Sequence, residues 1–241
     1  MAKTEYKMPI YLQLREIIRN KIEDGEYMPG TAIPSENTLA QTFGINRITI
    51  RNAVDALVHE GLLRRVQGKG VFVVGNKNEF SIEEHGGFVN DPLRKDSRIS
   101  VRELQKTVRE AGNRYANLFG LKETEDAIYY IRQMHYINGV ETSIEEFFIP
   151  REILPSLDTV NSSVFTFHDI LSFYGINVKK MSQSLRIIKG SSRMRKALDV
   201  PEGVALMHLE CDYYNDEGKI IAHSISNIRA DMQSFTVRMH R

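Results

Sequence analysis

Two helical patterns separated by a short turn lie in the stretch Ser35–Gly61, SENTLAQTFGINRITIRNAVDALVHEG. Ser35 is a favourable N-cap for a helix through Phe43, and Asn46 is a favourable N-cap for a second helix that ends before Gly61. Only Gly44-Ile45-Asn46 lies between the two patterns. This spacing predicts a helix-turn-helix.

The flanking residues extend this motif on both sides. Residues 9–24 repeat apolar side chains with helical periodicity and predict a preceding helix. The short apolar runs Leu62–Val66 and Val71–Val74 flank the segment Gln67-Gly68-Lys69-Gly70, which predicts a β-hairpin. Three helices followed by a hairpin form a winged helix-turn-helix.

The Gly68-Lys69-Gly70 segment has an alternative interpretation as a phosphate-binding loop. A Walker loop requires GxxxxGK[ST], and a dinucleotide fingerprint requires GxGxxG before a helix. Neither pattern is present, and a strand is expected after Gly70. The segment therefore reads as a hairpin tip that places Lys69 within reach of a phosphate backbone or a minor groove.

The predicted third helix has one apolar face and one polar face. Arg47 and Arg51 are four residues apart on the polar face, and arginine can make a bidentate contact to guanine. Asn46 and Thr49 can bond phosphate or base, and Ile48 can contact a thymine methyl group. A solvated helix face is the alternative. The coincidence of the turn spacing, the capped helix and the following hairpin favours a DNA-reading helix.

The composition excludes several classes of protein. The chain has 241 residues, with 32 Lys and Arg against 31 Asp and Glu, so any basic surface must be local. Cys211 is the only cysteine, which rules out an intrachain disulfide and a thiol-rich zinc site. No stretch approaches the roughly 20 apolar residues of a membrane span. We expect a cytoplasmic protein that needs no cofactor or metal and has no membrane partner.

A polar segment after residue 75 predicts a domain boundary. We expect residues 1–75 to form the winged domain, residues 76–80 a linker, and residues 81–241 a second domain. The second part contains two similar patterns of helix, strand, turn and strand, with turns at Asn138-Gly139 and Glu217-Gly218. These patterns predict an α+β fold around an antiparallel sheet. Further helices are expected near residues 101–119, 163–174 and 190–198.

The run from Pro9 to Val73, PIYLQLREIIRNKIEDGEYMPGTAIPSENTLAQTFGINRITIRNAVDALVHEGLLRRVQGKGVFV, resembles the DNA-binding domain of GntR-family bacterial transcription regulators over its whole length. In that family the segments matching PSEN, NRITIR and QGKG contact operator DNA. Some members have an arginine where this chain has Asn37. The resemblance and the helix analysis together give the predicted DNA-binding residues as Ser35, Asn37, Asn46, Arg47, Ile48, Thr49, Arg51, Gln67, Gly68 and Lys69.

The second part resembles the effector-binding domain of the HutC branch, called UTRA, which has a chorismate-lyase-like fold. The resemblance rests on GLKETEDAIYYIR, HYINGVETSIEEFFIP, ALDVPEGVAL and SNIRADMQSF. It implies a small-molecule effector such as a sugar phosphate, an amino sugar or a small carboxylate, and helix-start N–H groups near Phe88 that meet an anion. The candidate effector-binding residues are Phe88, Val89, Asn90, Arg132, His135, Glu145 and Arg229.

The effector class is narrowed by one departure from the family. Sugar-phosphate binders of this branch usually carry an arginine where this chain has His135, and neutral imidazole is a poor anion clamp. Arg132 points opposite to His135 on an alternating strand, and Glu145 is favoured over Glu146 as the inward carboxylate. This departure argues against a phosphate ligand.

The resulting prediction is a homodimeric regulator, most simply a repressor, whose affinity for double-stranded operator DNA changes when an effector binds. Dimerisation is expected because one short reading helix rarely provides enough specificity. One alternative is a DNA-binding protein whose second domain only dimerises. Another is an enzyme with a lyase-like fold, although the sequence contains no convincing catalytic set.

Overall fold

The computed structural model describes residues 8–75, 88–92 and 98–237, with side chains described outside 88–92 and 234–237. Its contacts divide the chain into two units. The N-terminal unit comprises Met1–Asn78 and Thr159–Phe173, and the C-terminal unit comprises Glu79–Asp158 and Tyr174–Arg241. The predicted linker, 76–80, lies outside the described residues.

The N-terminal unit contains the winged helix-turn-helix. Its elements are helices α1 (Ile10–Glu23), α2 (Glu36–Phe43) and α3 (Arg47–His59) and strands β1 (Leu63–Val66) and β2 (Gly70–Val73). The two strands pair in antiparallel fashion and form the wing. Each element lies within a few residues of its predicted position.

Side-chain caps set the start of the two central helices. The Ser35 hydroxyl oxygen accepts a hydrogen bond from the Thr38 amide at 3.1 Å, and the Asn46 side-chain carbonyl accepts one from the Thr49 amide at 2.9 Å. Gly44 ends α2 with a φ of 63°. Glycine adopts this left-handed conformation without a steric cost, so the chain can turn directly into α3.

One apolar core holds the three helices and the wing together. It combines one face of each helix with the inward side chains of the hairpin. Its buried members are Leu14, Ile18, Ile33, Leu39, Ile50, Ala53, Val54, Leu57, Leu63 and Val73.

A six-stranded antiparallel sheet forms the centre of the C-terminal unit. Its strands occur in the order β4-β5-β6-β9-β8-β7. They are β4 (Ile99–Glu110), β5 (Ala127–Ile137), β6 (Val140–Pro150), β7 (Lys180–Ile188), β8 (Leu206–Tyr214) and β9 (Ile220–Arg229). Strands β3 (Phe88–Pro92) and β10 (Gln233–Val237) pair in a separate two-stranded sheet.

The helices differ in part from the sequence prediction. The predicted helix near 101–119 is wrong in its first part, because strand β4 ends at Glu110 and helix α4 covers only Gly112–Phe119. From Val101 onward the apolar residues of β4 recur at intervals of three and four residues, which imitates a helix, but its backbone pairs along β5. Helices α5 (Phe167–Phe173) and α6 (Ser192–Ala197) lie within the other two predicted ranges.

The sheet has two distinct faces. Side chains of α4 pack on one end of the first face, around Ile128 and Phe148, and α6 packs at the other end beside Met134 and Ile144. The opposite face, here called the serine face, carries buried Ser143, Ser224 and Ser226. Side chains alternate along each strand, so residues two apart share a face.

None of the helices in the described parts of the chain has the length and apolar character that a membrane span requires.

Candidate nucleic-acid interface and effector site

Helix α3 buries one face in the core and exposes the other. The side chains of Arg47 and Arg51 are 57% and 49% exposed, and Ile48 is 72% exposed. Single exposed apolar residues are ordinary on protein surfaces, so the informative feature is the position of Ile48 between two exposed arginines at the start of the helix. The helix therefore presents donors and an apolar contact at its N-terminal end, as base reading requires.

A single carboxylate holds the arginines together. Glu36, in the first turn of α2, accepts hydrogen bonds from Arg51 Nη2 at 3.1 Å and from Arg65 Nη1 at 2.8 Å. Arg47 Nε donates to the same carboxylate at 3.2 Å. The Glu36 side chain is only 9% exposed, although its three partners lie at the surface. This arrangement fixes two arginines of the reading helix and one of the wing in a shared orientation.

The charge of Glu36 is strongly stabilised. Partial burial raises its pKa, but hydrogen bonds from Arg51, Arg65 and Arg47 outweigh that effect and lower the pKa to about 2. Glu36 is not among the DNA-binding residues predicted from the sequence, although its neighbours Ser35 and Asn37 are. A carboxylate directly after an N-cap, within a segment that already carries DNA-contacting positions, was the available signal.

The wing places Lys69 beside this arginine cluster. Its turn needs Gly68 and Gly70, whose φ angles are 75° and 123°. Seven of the ten predicted DNA-binding residues line one groove between the turn of α2, helix α3 and the wing; these are Ser35, Asn37, Arg47, Arg51, Gln67, Gly68 and Lys69.

The other three predicted DNA-binding residues lie at the start of α3 and do not line that groove; these are Asn46, Ile48 and Thr49. Asn46 uses its side-chain carbonyl for the cap, where it accepts from both the amide and the hydroxyl of Thr49. Ile48 is free to contact a partner, as its exposure indicates.

Two of the predicted effector residues meet on the serine face. His135 Nε2 lies 3.1 Å from a carboxylate oxygen of Glu145, although the angle is not that of a hydrogen bond. The other oxygen of Glu145 accepts from the Ser226 hydroxyl at 3.1 Å. Gln133 is buried beside Glu145 in the register, and Ser143 lies opposite His135. This part of the face combines one carboxylate, one imidazole and several hydroxyl groups.

Arg132 and Arg229 lie on the other face of the sheet. Arg132 Nε lies 4.0 Å from Glu146, which also accepts a hydrogen bond from the Tyr130 hydroxyl. Arg229 is 6% exposed and makes two hydrogen bonds to Asp231, at 3.1 and 2.8 Å. It also donates to the carbonyl oxygens of residues 198 and 199. These contacts describe a structural arginine that joins a strand end to the segment after α6.

Phe88, Val89 and Asn90 lie in strand β3, paired with β10. The resemblance implied a helix start near these residues, and their backbone is instead part of a strand. Their side chains lie outside the described set. The described residues contain no cluster of three or more His, Cys, Asp or Glu side chains that could hold a metal ion.

Comparison with known proteins decides the family. The family model "Bacterial regulatory proteins, gntR family" matches residues 10–73, and the UTRA domain model matches residues 95–234. The chain belongs to the GntR family, in its UTRA-domain branch. The repressor NagR of Bacillus subtilis is 26% identical over 97% of this chain and 96% of its own length. The probable transcriptional regulator PhnF of Escherichia coli is 27% identical over 95% of this chain and 92% of its own.

Two solved structures share the fold over nearly the whole chain. PhnF of Mycobacterium smegmatis has a TM-score of 0.57 at 17% identity and covers 96% of this chain and 99% of its own. The possible transcriptional regulator YydK of B. subtilis has a TM-score of 0.53 at 20% identity, over 97% and 100% of the two chains. The family matches and the curated relatives confirm the family and the fold class predicted from the sequence, and they show a transcription regulator, as predicted, in place of an enzyme.

The serine face of this UTRA domain includes residues that the sequence reasoning missed. Gln133, Ser143, Ser224 and Ser226 are polar and buried in the middle of three neighbouring strands of the sheet. Polar groups at such positions are costly unless they are paired, so they indicate a role in binding or bonding. The signal available in the sequence was the serine at every second position of HSISN in β9.

Proposed function

We propose that this GntR-family protein is a repressor that binds operator DNA through the groove between α3 and the wing. The observation that carries this proposal is the convergence of Arg47, Arg51 and Arg65 on Glu36, next to Lys69 at the tip of the wing. NagR and the mannosyl-D-glycerate system protein MngR are both named repressors.

The proposed roles follow from the chemistry of each group. Arg47 and Arg51 read guanine edges in the major groove, because a guanidinium fits the O6 and N7 acceptors. Ile48 contacts a thymine methyl group. Lys69 bonds a backbone phosphate and adds affinity without sequence preference. Two copies of the chain bind the two halves of a symmetric site in the cytoplasm, since one helix covers too few base pairs for specificity.

The serine face is proposed as the effector site. On the described strands β5, β6, β8 and β9 this face carries no lysine or arginine, and its lysine on β4, Lys106, lies 3.3 Å from the carboxylate of Glu103. A carboxylate within such a site repels a phosphate or carboxylate ligand and attracts an ammonium group. Buried hydroxyl and amide groups suit a ligand with several hydroxyls. An amino sugar therefore fits better than a sugar phosphate or a small carboxylate.

The DNA-binding role is tested with single arginine variants on an operator selected from random duplexes by the wild-type protein. Arg47→Ala and Arg51→Ala are each expected to lose about 1–3 kcal/mol of binding free energy and to relax base preference. Arg186→Ala is the matched control, because Arg186 is an exposed sheet arginine of the C-terminal unit at 59% exposure. Unchanged operator affinity in both helix variants would refute the assignment.

The effector role is tested by thermal shift with glucosamine, N-acetylglucosamine and the 6-phosphate of each sugar. A ligand that binds only the folded state raises the melting temperature by mass action. We expect glucosamine to give the largest rise in melting temperature of the wild type. In Glu145→Gln, glucosamine and N-acetylglucosamine should raise the melting temperature equally. The control Glu146→Gln changes the carboxylate of the opposite face. If none of the four sugars shifts the melting temperature, the second domain is better explained as a dimerisation platform.

A further inference from the structure

The wing has an outer face that does not belong to the helix-turn-helix core. Arg64 and Phe72 are cross-strand partners, and they alternate with the core residues Leu63 and Val73. Phe72 is nevertheless only 2% exposed. Another part of the same unit must therefore cover it.

That cover is the segment Thr159–Phe173, here called the wing strap. The ring of Phe165 meets Phe72 edge-on with centroids 6.1 Å apart, and the Arg64 guanidinium lies 4.9 Å from the Phe165 centroid. Val160 is 1% exposed and packs against Gly30 so closely that a Cβ there would lie 2.7 Å from its methyl carbon. The contact is therefore apolar and well packed.

Backbone carbonyl groups of the wing strap also accept hydrogen bonds from Lys69 and Arg64 of the wing. Lys69 Nζ donates to the carbonyl oxygen of Ser163 at 3.1 Å, and Arg64 Nη1 donates to the carbonyl oxygen of Val164 at 3.3 Å. The side chain of Asn161 accepts from the amide and hydroxyl of Ser163 and so shapes the turn that presents these carbonyls.

We propose that the wing strap is an intramolecular docking partner of the wing that competes with DNA phosphates for Lys69 and Arg64. This proposal rests on the DNA-binding function proposed above. The hydrogen bond to the Ser163 carbonyl holds the Lys69 ammonium group at the wing strap. Lys69 must break this bond before its ammonium group can contact a DNA phosphate. DNA binding at full strength then requires the strap to release the tip of the wing.

A double-mutant cycle with a short random-sequence duplex tests the competition, because phosphate contacts do not depend on sequence. Phe165→Ala removes the ring that anchors the strap and is expected to tighten binding about threefold to tenfold at low salt. In a Lys69→Ala background, which weakens binding by itself, the same change is expected to have a much smaller effect. Phe119→Ala, which removes a buried ring in the C-terminal unit, is the control.

A reversible disulfide cross-link between the wing strap and residue 30, here called the lock, tests the same proposal if Phe165→Ala fails to fold. A Cβ at Gly30 would lie 3.3 Å from the Cβ of Val160, close to the separation in a disulfide, so Gly30→Cys with Val160→Cys should cross-link on oxidation. Burial raises the pKa of the one native thiol, Cys211, to about 12, which keeps it unreactive. Gly30 has a φ of 81°, which strains any side chain placed there, but both redox forms carry the same substitutions, so this strain cancels in the comparison.

The oxidised lock is expected to bind the duplex about threefold to tenfold more weakly than its reduced form, and a reductant should restore binding. Equal binding by the two forms would overturn the wing-strap proposal. A different outcome concerns the proposed function itself. If Lys69→Ala, Arg47→Ala and Arg51→Ala all leave DNA binding unchanged, the groove does not bind DNA.

Discussion

Replacing Glu36 by glutamine tests whether one carboxylate organises the reading surface. Glutamine keeps the shape of the side chain but removes the charge that three arginines share. The pKa of Glu36 falls from its ordinary value of 4.5 to about 2, and this difference corresponds to about 3 kcal/mol. The three arginine side chains are 57%, 49% and 41% exposed, so solvent screening reduces the expected contribution to about 1–2 kcal/mol.

The contribution of Glu36 has a defined pH dependence. A carboxyl group whose folded-state pKa is lowered stabilises the folded protein fully above its unfolded-state pKa, here about 4.5. That stability is lost as the pH falls toward about 2. Glu36→Gln should therefore be less stable than the wild type at pH 7 by about 1–2 kcal/mol, with the gap closing between pH 4.5 and 2. Urea unfolding at several pH values measures this difference.

Glu36→Gln should also change DNA recognition. The freed arginines lose their common orientation, and the loss of a negative charge favours any polyanion. Random-duplex binding should strengthen while operator binding does not, so the ratio of the two affinities should fall about tenfold. Asp55→Asn is the control, since Asp55 pairs with Arg65 at 2.7 Å. An unchanged affinity ratio together with unchanged stability at pH 7 would refute the reasoning.

The remaining predictions concern single contacts. Asn46→Ala should lower stability by about 1 kcal/mol through loss of the α3 cap, and Asn46→Asp should retain most of it, as measured by urea unfolding. Arg229→Met leaves Asp231 without its partner and should cost about 3 kcal/mol of stability while leaving effector affinity per folded molecule unchanged; a selective loss of effector binding would instead support a ligand contact. Lys69→Ala should weaken binding to all duplexes and lower the salt-dependence slope by about 1, whereas a sequence-dependent loss would contradict a phosphate contact.

The first domain could be predicted closely because its signals are local. Caps at Ser35 and Asn46, the glycine at position 44 and the two glycines of the wing each determine a backbone conformation within a few residues. The same is true of the hairpin at Asn138-Gly139, where both residues have positive φ angles of 53° and 83°. Such features do not depend on the rest of the fold.

Features that depend on distant parts of the chain could not be read from the sequence. Strand β4 is an edge strand whose pairing with β5 overrides a helix-like pattern. The Glu36 cluster joins residues up to 29 positions apart, and the contact of the wing strap joins Lys69 to a residue 94 positions away. In the candidate effector site, Arg132 and His135 lie on opposite faces of β5, as strand alternation predicts, whereas the pairing of β5, β6 and β9 is needed to bring Gln133 and the three serines together.

Operator DNA carrying 7-deazaguanine tests the central claim most directly, since this base lacks the N7 acceptor that an arginine of α3 is proposed to contact. Substituting one guanine at a time, we expect a loss of about 1 kcal/mol or more at a defined position for the wild type. One of the two variants, Arg47→Ala or Arg51→Ala, lacks the arginine that contacts this guanine. In that variant the same base substitution should cause almost no further loss of binding free energy. If both variants lose as much affinity as the wild type at every guanine, these arginines do not read the operator.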